Sequence, residues 1–312
     1  MVTSFLCTLT AAKLGHLLGR HSRRKHCEGN LFPPAADDRS VPSVMVLRPG
    51  PGDVKRCLDF MNTSRRAKGR RVLIKPNLTV NMPAETGVTT HPRLVFDAAR
   101  YLINSGAREV VIGESSATRV AAAFEDLGFR RMADGLGIRI VDFWDDECVR
   151  VEVPEPLAVE AFQIARTVLD SDLILNMPVL KIHQGESKVT LCAKNMMGCI
   201  AGEKSFMHAD FNTKIIDLLK IVKPDLNIVD GIVAMEGHEI YGKAVGANVL
   251  VAGDDFVAVD SVCSRLMGFR YGEVEHIALA EKNGFGWADP SKITVQGLAI
   301  ADVARRFARA GG

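Results

Sequence analysis

Polar and charged side chains recur in this sequence just after short apolar runs. Lys75 and Asn77 follow Val72-Leu73-Ile74, and Glu114, Ser115 and Ser116 follow the run that ends at Ile112. Asn176, Lys181 and His183 follow Leu173-Ile174-Leu175; Asp230, Glu236 and His238 follow Leu226 to Val229; Asp254 and Asp255 follow Asn248 to Ala252. If the runs are parallel strands, these amines, amides, carboxylates and imidazoles gather at one edge, because ligands of open α/β sheets bind in the crevice beyond the carboxyl ends of the strands. Ser116, Asp254 and Asp255 are also of the types that cap helices.

The segment from Leu173 to Gly202 carries the densest set. Lys181 and His183 stand two apart, which in an extended stretch puts both side chains on one face. Lys194-Asn195 follow, with Gly198 close behind. Lysine holds carboxylate or phosphate as a point charge and, when buried, loses its proton readily enough to serve as base or nucleophile. Histidine is the side chain matched to proton transfer near neutral pH. The expected catalytic set is therefore His183 and Lys194, with Glu114 and Asp230 to orient them or act as the opposing acid or base. The expected substrate-binding set is Lys75, Asn77, Ser115, Asn176, Lys181, Asn195 and Glu236. His183, His208 and His238, with Glu114, Asp230 or Glu236, offer metal-binding atoms but no local spacing such as H-E-x-x-H to assemble them, and loop histidines with ordinary partners explain them as well.

The positioning elements alternate. Val72 to Ile74 and Arg108 to Ile112 flank a helix opened by Pro92, with Leu94, Val95, Ala98, Leu102 and Ile103 on one stripe and Gly106 beyond its end, a βαβ unit. Further strands are expected at Ile138 to Phe143, Leu173 to Leu175, Leu226 to Val229, Asn248 to Ala252 and Lys292 to Val295, and helices at Ala121 to Leu127, Thr213 to Val222, Phe256 to Met267 and Val274 to Lys282. This pattern predicts an α/β fold with a mainly parallel sheet and helices on both faces, either as one body or as two lobes with a site between them. Residues 43–312 form that domain. Residues 1–42, with an amphipathic stretch, the basic run Arg20 to His26 and a Pro- and Asp-containing segment, read as a tail that is disordered or belongs to a mis-called start.

Composition narrows the partners. Of 312 residues, 47% are hydrophobic and 24% charged, and no apolar run reaches the ~18 residues of a membrane span, so a soluble, cytoplasmic protein is expected. The net charge of +2 conceals a body at −3, 34 bases against 37 acids, once the five bases of residues 1–27 are set aside. Without a basic face interleaved with aromatics, nucleic acid is not expected as a partner. The seven scattered cysteines form neither a disulfide framework nor the closely spaced run of an iron–sulfur cluster, so the chain is expected to hold no such cluster of its own. The string from Gly198 to Ser205 approaches a phosphate-binding loop, yet Glu203 stands where its second glycine belongs, and no G-x-G-x-x-G follows a strand; neither an ATP nor a dinucleotide motif is present.

Seven motifs in order resemble the domain-of-unknown-function 362 family of bacteria and archaea. They are VLIKPNL (Val72 to Leu78), TTHP (Thr89 to Pro92), VVIGESS (Val110 to Ser116), NMPVLKIH (Asn176 to His183), AKNMMG (Ala193 to Gly198), IVDGIVAMEG (Ile228 to Gly237) and AVDSVCSRLMGF (Ala258 to Phe269). Many relatives carry a ferredoxin-like iron–sulfur module, so the resemblance implies redox work through a separate ferredoxin-like partner. This chain departs from the pattern at His238-Glu239, where relatives tend to have Gly-Pro. A more distant likeness is to the nickel-pincer lactate racemase fold, which implies that His183 and Lys194 take the places of a histidine and a cofactor-anchoring lysine, although the Gly-rich stretch between them is missing. The expected function is an enzyme on a small carboxylate- or phosphate-bearing molecule, an oxidoreductase or isomerase by class. The alternatives are a carrier for an anionic metabolite or cofactor, and a metal-cofactor-dependent isomerase similar to lactate racemase.

Overall fold

The short apolar runs do become strands. In chain order they are β1 (Ser43–Leu47), β2 (Arg71–Pro76), β3 (Glu109–Glu114), β4 (Arg139–Asp142), β5 (Cys148–Glu152), β6 (Ala161–Ala165), β7 (Leu173–Met177), β8 (Val179–Ile182), β9 (Val189–Thr190), β10 (Leu226–Glu236), β11 (Lys243–Val245), β12 (Val249–Gly253) and β13 (Thr294–Gly297). The computed structural model describes residues 40–309, so the tail expected over residues 1–42 lies, but for its last three positions, outside the described residues.

The main sheet runs β13-β1-β12-β10-β7-β2-β3-β4. Every neighbouring pair along it is parallel except the two made by β12, which runs against both β1 and β10. The sheet is thus mostly parallel, with the carboxyl ends of β2, β3, β4 and β7 on one edge. From β2 the chain winds outward through β3 and β4, whereas β7 returns to the other side of β2 and leads on to β10. That reversal leaves the crevice between the ends of β2 and β7 where open α/β sheets bind ligands.

Side-chain alternation on the strands divides the core between the two faces of the sheet. Val72, Ile74, Leu173 and Leu175 pack on one side with Leu94, Val95, Ala98 and Leu102 of the helix Pro92–Asn104. Leu73, Ile174, Val111 and Val229 pack on the other with Val259, Val262 and Leu266 of the helix Phe256–Leu266. The first helix starts as its sequence dictates, with Pro92 in its first turn and the His91 side chain accepting from the Arg93 N–H. Asp255 caps the second by accepting from Ala258 N–H at 2.9 Å. The other two expected caps serve elsewhere: Ser116 Oγ donates to the Thr79 carbonyl, and Asp254 pairs with Arg66 at 3.2 Å. Residues 40–309 belong to one compact unit, so the crevice is a strand-end feature and not a cleft between two lobes.

Pro178 separates β7 from β8. Lacking an N–H, it interrupts the ladder, while its carbonyl accepts from Asp230 N–H at 2.8 Å. Beyond it β8 pairs with the far half of β10 through a register shift and carries Lys181 and His183 past the end of β2. The antiparallel pair β5–β6 stands apart as a second, two-stranded sheet.

Leu73, with no exposed surface, sits in the sheet between β3 and β7. Leu73→Ala should lower stability by about 2–5 kcal/mol, read as a shifted urea midpoint with unchanged slope.

Candidate functional site

The Lys75 ammonium lies 2.8 Å from each oxygen of Glu114, joining the ends of neighbouring strands β2 and β3. Both side chains are cut off from solvent, at 0% and 3% exposure. Burial pushes the Glu114 carboxyl above its ordinary value, and the Lys75 charge, the Lys204 charge and the Ser115 N–H all oppose that shift. Gly198 packs directly on the pair: a Cβ there would overlap Glu114 Oε1 and Lys75 Nζ.

A second buried system starts at Lys181. Its Nζ donates to Asn77 Oδ1 at 2.8 Å and to the Val88 carbonyl at 2.9 Å. Asn77 Nδ2 donates to Asn195 Oδ1 at 2.9 Å, Asn195 Nδ2 to Asn176 Oδ1 at 2.7 Å, Asn176 Nδ2 to Asn227 Oδ1 at 3.1 Å, and Asn227 Nδ2 to the Gly253 carbonyl at 3.2 Å. Each amide therefore donates in one direction, away from the ammonium, and such aligned dipoles reinforce one another. The chain of amides ties β2, β7, β10 and β12 to the short helix Cys192–Asn195. Asp260 holds that helix from behind, accepting from Cys192 N–H at 2.7 Å and Ala193 N–H at 2.9 Å, with burial pushing its carboxyl up to about 7.

Over this floor opens a cavity of about 130 Å³. Asn77, Glu114, Ser115, His183, Lys194 and Asn195 line it, as the sequence led one to expect. Lys75, Lys181 and Asn176 do not reach it; they are fully buried and hold the residues that do. Asp230 and Glu236 take no part. Asp230 accepts from His91 N–H at 2.8 Å and Ile232 N–H at 3.0 Å, fixing the start of the helix Pro92–Asn104, and Glu236 accepts from Ala308 N–H at 3.0 Å.

Three ionisable groups outside the expected catalytic and binding sets complete the lining, His208, Lys204 and Glu239. Lys204 is buried in the loop after Cys199, its Nζ donating to Ser115 Oγ and lying 6.0 Å from the Trp144 ring centre. Glu239 comes from the loop between β10 and β11, its Oε1 3.6 Å from His183 Nε2. The departure at His238-Glu239 was the one sequence signal for the latter. Lys204 lies within the string that fails as a phosphate loop.

Lys194 Nζ has no oxygen acceptor among the described residues. It meets Met197 Sδ at 3.5 Å and the Phe211 ring at 4.6 Å from its centre. Loss of water pulls Lys194 and Lys204 down to about 8 and Lys181 to about 7. His183 falls to about 2, through burial first and the Lys194 charge second, so its imidazole is neutral. Its ring lies over that of His208, with centres 6.4 Å apart and planes at 21°. His238 does not line the cavity; its Nδ1 accepts from Ile240 N–H and Tyr241 N–H. Among the described residues no three His, Cys, Asp or Glu side chains are arranged to hold a metal ion, so the donor set does not fit a protein-held metal.

Fold and cavity define a mostly parallel α/β protein with a lysine-rich pocket at its strand switch point. The chain belongs to the family described as a domain of unknown function, DUF362, whose profile matches residues 72–265. It is 28% identical over 227 residues to a thylakoid-associated protein of Synechocystis sp., across 69% of this chain and 68% of that one. Among solved structures it is similar to the lactate racemase apoprotein of Thermoanaerobacterium thermosaccharolyticum, at 13% identity and a TM-score of 0.48, over 73% of this chain and 57% of the other. No helix among the described residues is long and apolar enough to cross a membrane.

Gly198→Ala should split or displace the buried pair and cost about 3 kcal/mol or more, measured by urea unfolding. Lys194→Met should do the reverse at neutral pH. Because the folded chain holds Lys194 near 8 against an ordinary 10.5, it binds fewer protons than the unfolded chain in between, and the wild type gains stability as pH rises through that window. The variant should therefore melt a few degrees above the wild type at pH 7, at about 2–4 °C for each ~1 kcal/mol, with the difference vanishing towards pH 10.5. A lower melting temperature at pH 7 would make Lys194 a structural residue.

Proposed function

We propose that the chain is an enzyme acting on a small carboxylate- or phosphate-bearing substrate bound in this cavity. A charge imbalance supports the reading. Four lysines, Lys75, Lys181, Lys194 and Lys204, stand in or directly beneath the cavity, against the carboxylates of Glu114 and Glu239. The Asp142 carboxylate, which Lys204 also feels, is already engaged by the N–H groups of Val120, Ala121 and Trp144. Glu114 is committed to Lys75, and among the described residues none of Lys181, Lys194 and Lys204 has a carboxylate within 4 Å. Desolvated cations left without counter-charge are costly, and a bound anion offsets that cost.

The roles follow from the charges. Lys194 receives the anionic group. Neutral His183, with its Nδ1–H facing the Gln184 carbonyl, presents the Nε2 lone pair as an acceptor and takes up a proton there once an anion offsets the Lys194 charge. Lys194 and Lys204, near 8, exchange protons at neutral pH more readily than any exposed lysine.

Titration calorimetry with oxalate and with inorganic phosphate tests the reading. At least one should bind, more weakly as pH rises through about 8, and Lys194→Met should weaken it about 10- to 100-fold, the worth of one charge-assisted hydrogen bond. Binding of neither anion, or binding indifferent to Lys194→Met, would overturn it.

A further inference from the structure

Ser115 and Lys204 make a contact that anion binding does not require. The Lys204 ammonium donates to Ser115 Oγ, joining the residue just after β3 to the loop beyond Cys199. Both residues line the cavity and both are buried. Ser115 is held from its backbone, where its N–H donates to Glu114 Oε1 at 2.8 Å, and its hydroxyl lies within reach of the Gly198 carbonyl at 3.0 Å and the Ile200 carbonyl at 3.1 Å. The next two residues, Ser116 and Ala117, also line the cavity, and their backbone N–H groups donate to no partner among the described residues. A buried hydroxyl on an amine that has no carboxylate within bonding distance, beside two unengaged amides, contains the parts of a nucleophile, its base and an oxyanion site.

We propose that Ser115 and Lys204 form a serine–lysine nucleophile pair, and that the substrate is an ester of a small acid whose second, anionic group is held by Lys194. This rests on the anion-binding reading of the cavity. With Lys204 neutral, the Ser115 hydroxyl turns from the carbonyls to Nζ. Oγ then attacks the ester carbonyl carbon and its proton passes to Nζ. The tetrahedral oxygen is met by the Ser116 and Ala117 amides. Collapse breaks the bond to the leaving alcohol, which takes the proton from Lys204 and leaves an acyl-Ser115. Water attacks the acyl group, gives its proton to Lys204, and Ser115 leaves with that proton, so that ester and water become acid and alcohol. Ionisable groups around Lys204 are Glu114, Lys75, Cys199 and Asp142, with Glu203 beside it in the chain. The carboxylates favour its charged form and Lys75 the neutral one, while loss of water outweighs them all and brings it to about 8.

Treating the full chain with a short-chain alkyl fluorophosphonate and reading the intact mass and the labelled peptide tests the pair. The expected result is one adduct, on Ser115, formed faster as pH rises to a midpoint near 8. Ser115→Ala should abolish it, and both Lys204→Met and Lys204→Arg should slow it about 100-fold or more, as loss of a general base does. Lys204→Arg keeps the charge over Glu114, so a folding failure of Lys204→Met leaves the test intact. A wild type that takes no label on Ser115, or a Lys204→Arg variant that labels at the wild-type rate, overturns the pair. Binding of oxalate and of inorganic phosphate, measured by calorimetry on the wild type and on Ser115→Ala, separates the two readings. If either anion binds and Ser115 stays unlabelled, the nucleophile falls and the anion site stands; if neither anion binds and there is no label, both fall.

Discussion

A single ion pair, buried but for the edge of Glu114 that meets the cavity, organises this site. Parallel pairing of β2 and β3, which sets Ile74 beside Ile112, brings Lys75 and Glu114 to the same strand ends, and Gly198 closes over them with no room for a side chain. Such a pair adds little net stability, since the loss of two hydration shells offsets most of the attraction, yet removing either partner strands a buried charge. Its importance is positional. Because Glu114 also takes the Ser115 N–H, and because Gly198 must pack on both charges, the end of β3 and the turn after Lys194 cannot move independently.

Lys181 repeats the device with amides in place of a carboxylate. Its ammonium is solvated by Asn77 and by a backbone carbonyl, and the positive end is passed through Asn195 and Asn176 to Asn227 without any compensating negative charge. Dipoles can stabilise a buried cation, but they leave its net charge in the field of the cavity. Burial comes first in keeping the His183 imidazole neutral, with the Lys194 charge and then that of Lys181 adding to it, and loss of water is what makes Lys194 and Lys204 surrender protons near neutrality.

Periodicity exposed the strands, because runs such as Val72-Leu73-Ile74 are buried on both faces and bounded by polar residues, and it exposed the helices opened by Pro92 and Asp255. The pair β5–β6 escaped it, since half-exposed alternation such as Cys148 to Glu152 lacks a continuous apolar run. Position after a strand gathered Lys75, Asn77, Glu114, Lys181 and His183, and the dense segment after β7 added Lys194, but neither could say which face the cavity or the floor. The same rule gathered Asp230 and Glu236, which lie off the cavity because β10 is eleven residues long in all and continues beyond the sheet edge that the rule assumes. Lys204 and Asp260 escaped for opposite reasons. Lys204 lies on a loop with no strand ahead of it, and Asp260 lies inside an apolar helix, where a carboxylate shows its purpose only when the backbone N–H groups it serves are seen.

The arrangement also constrains how the site must respond to a ligand. An anion placed beside Lys194 would supply the charge that Glu239, 12% exposed and engaged with two histidines, provides only from a distance. Each lysine in the cluster would then hold its proton more tightly, and His183 would lose the main charge that opposes its protonation. Binding should therefore draw protons into the cavity. The same event that offsets the buried cations converts His183 from a group that can only share a hydrogen bond into one that can accept a proton, so its acid–base role depends on the ligand being present.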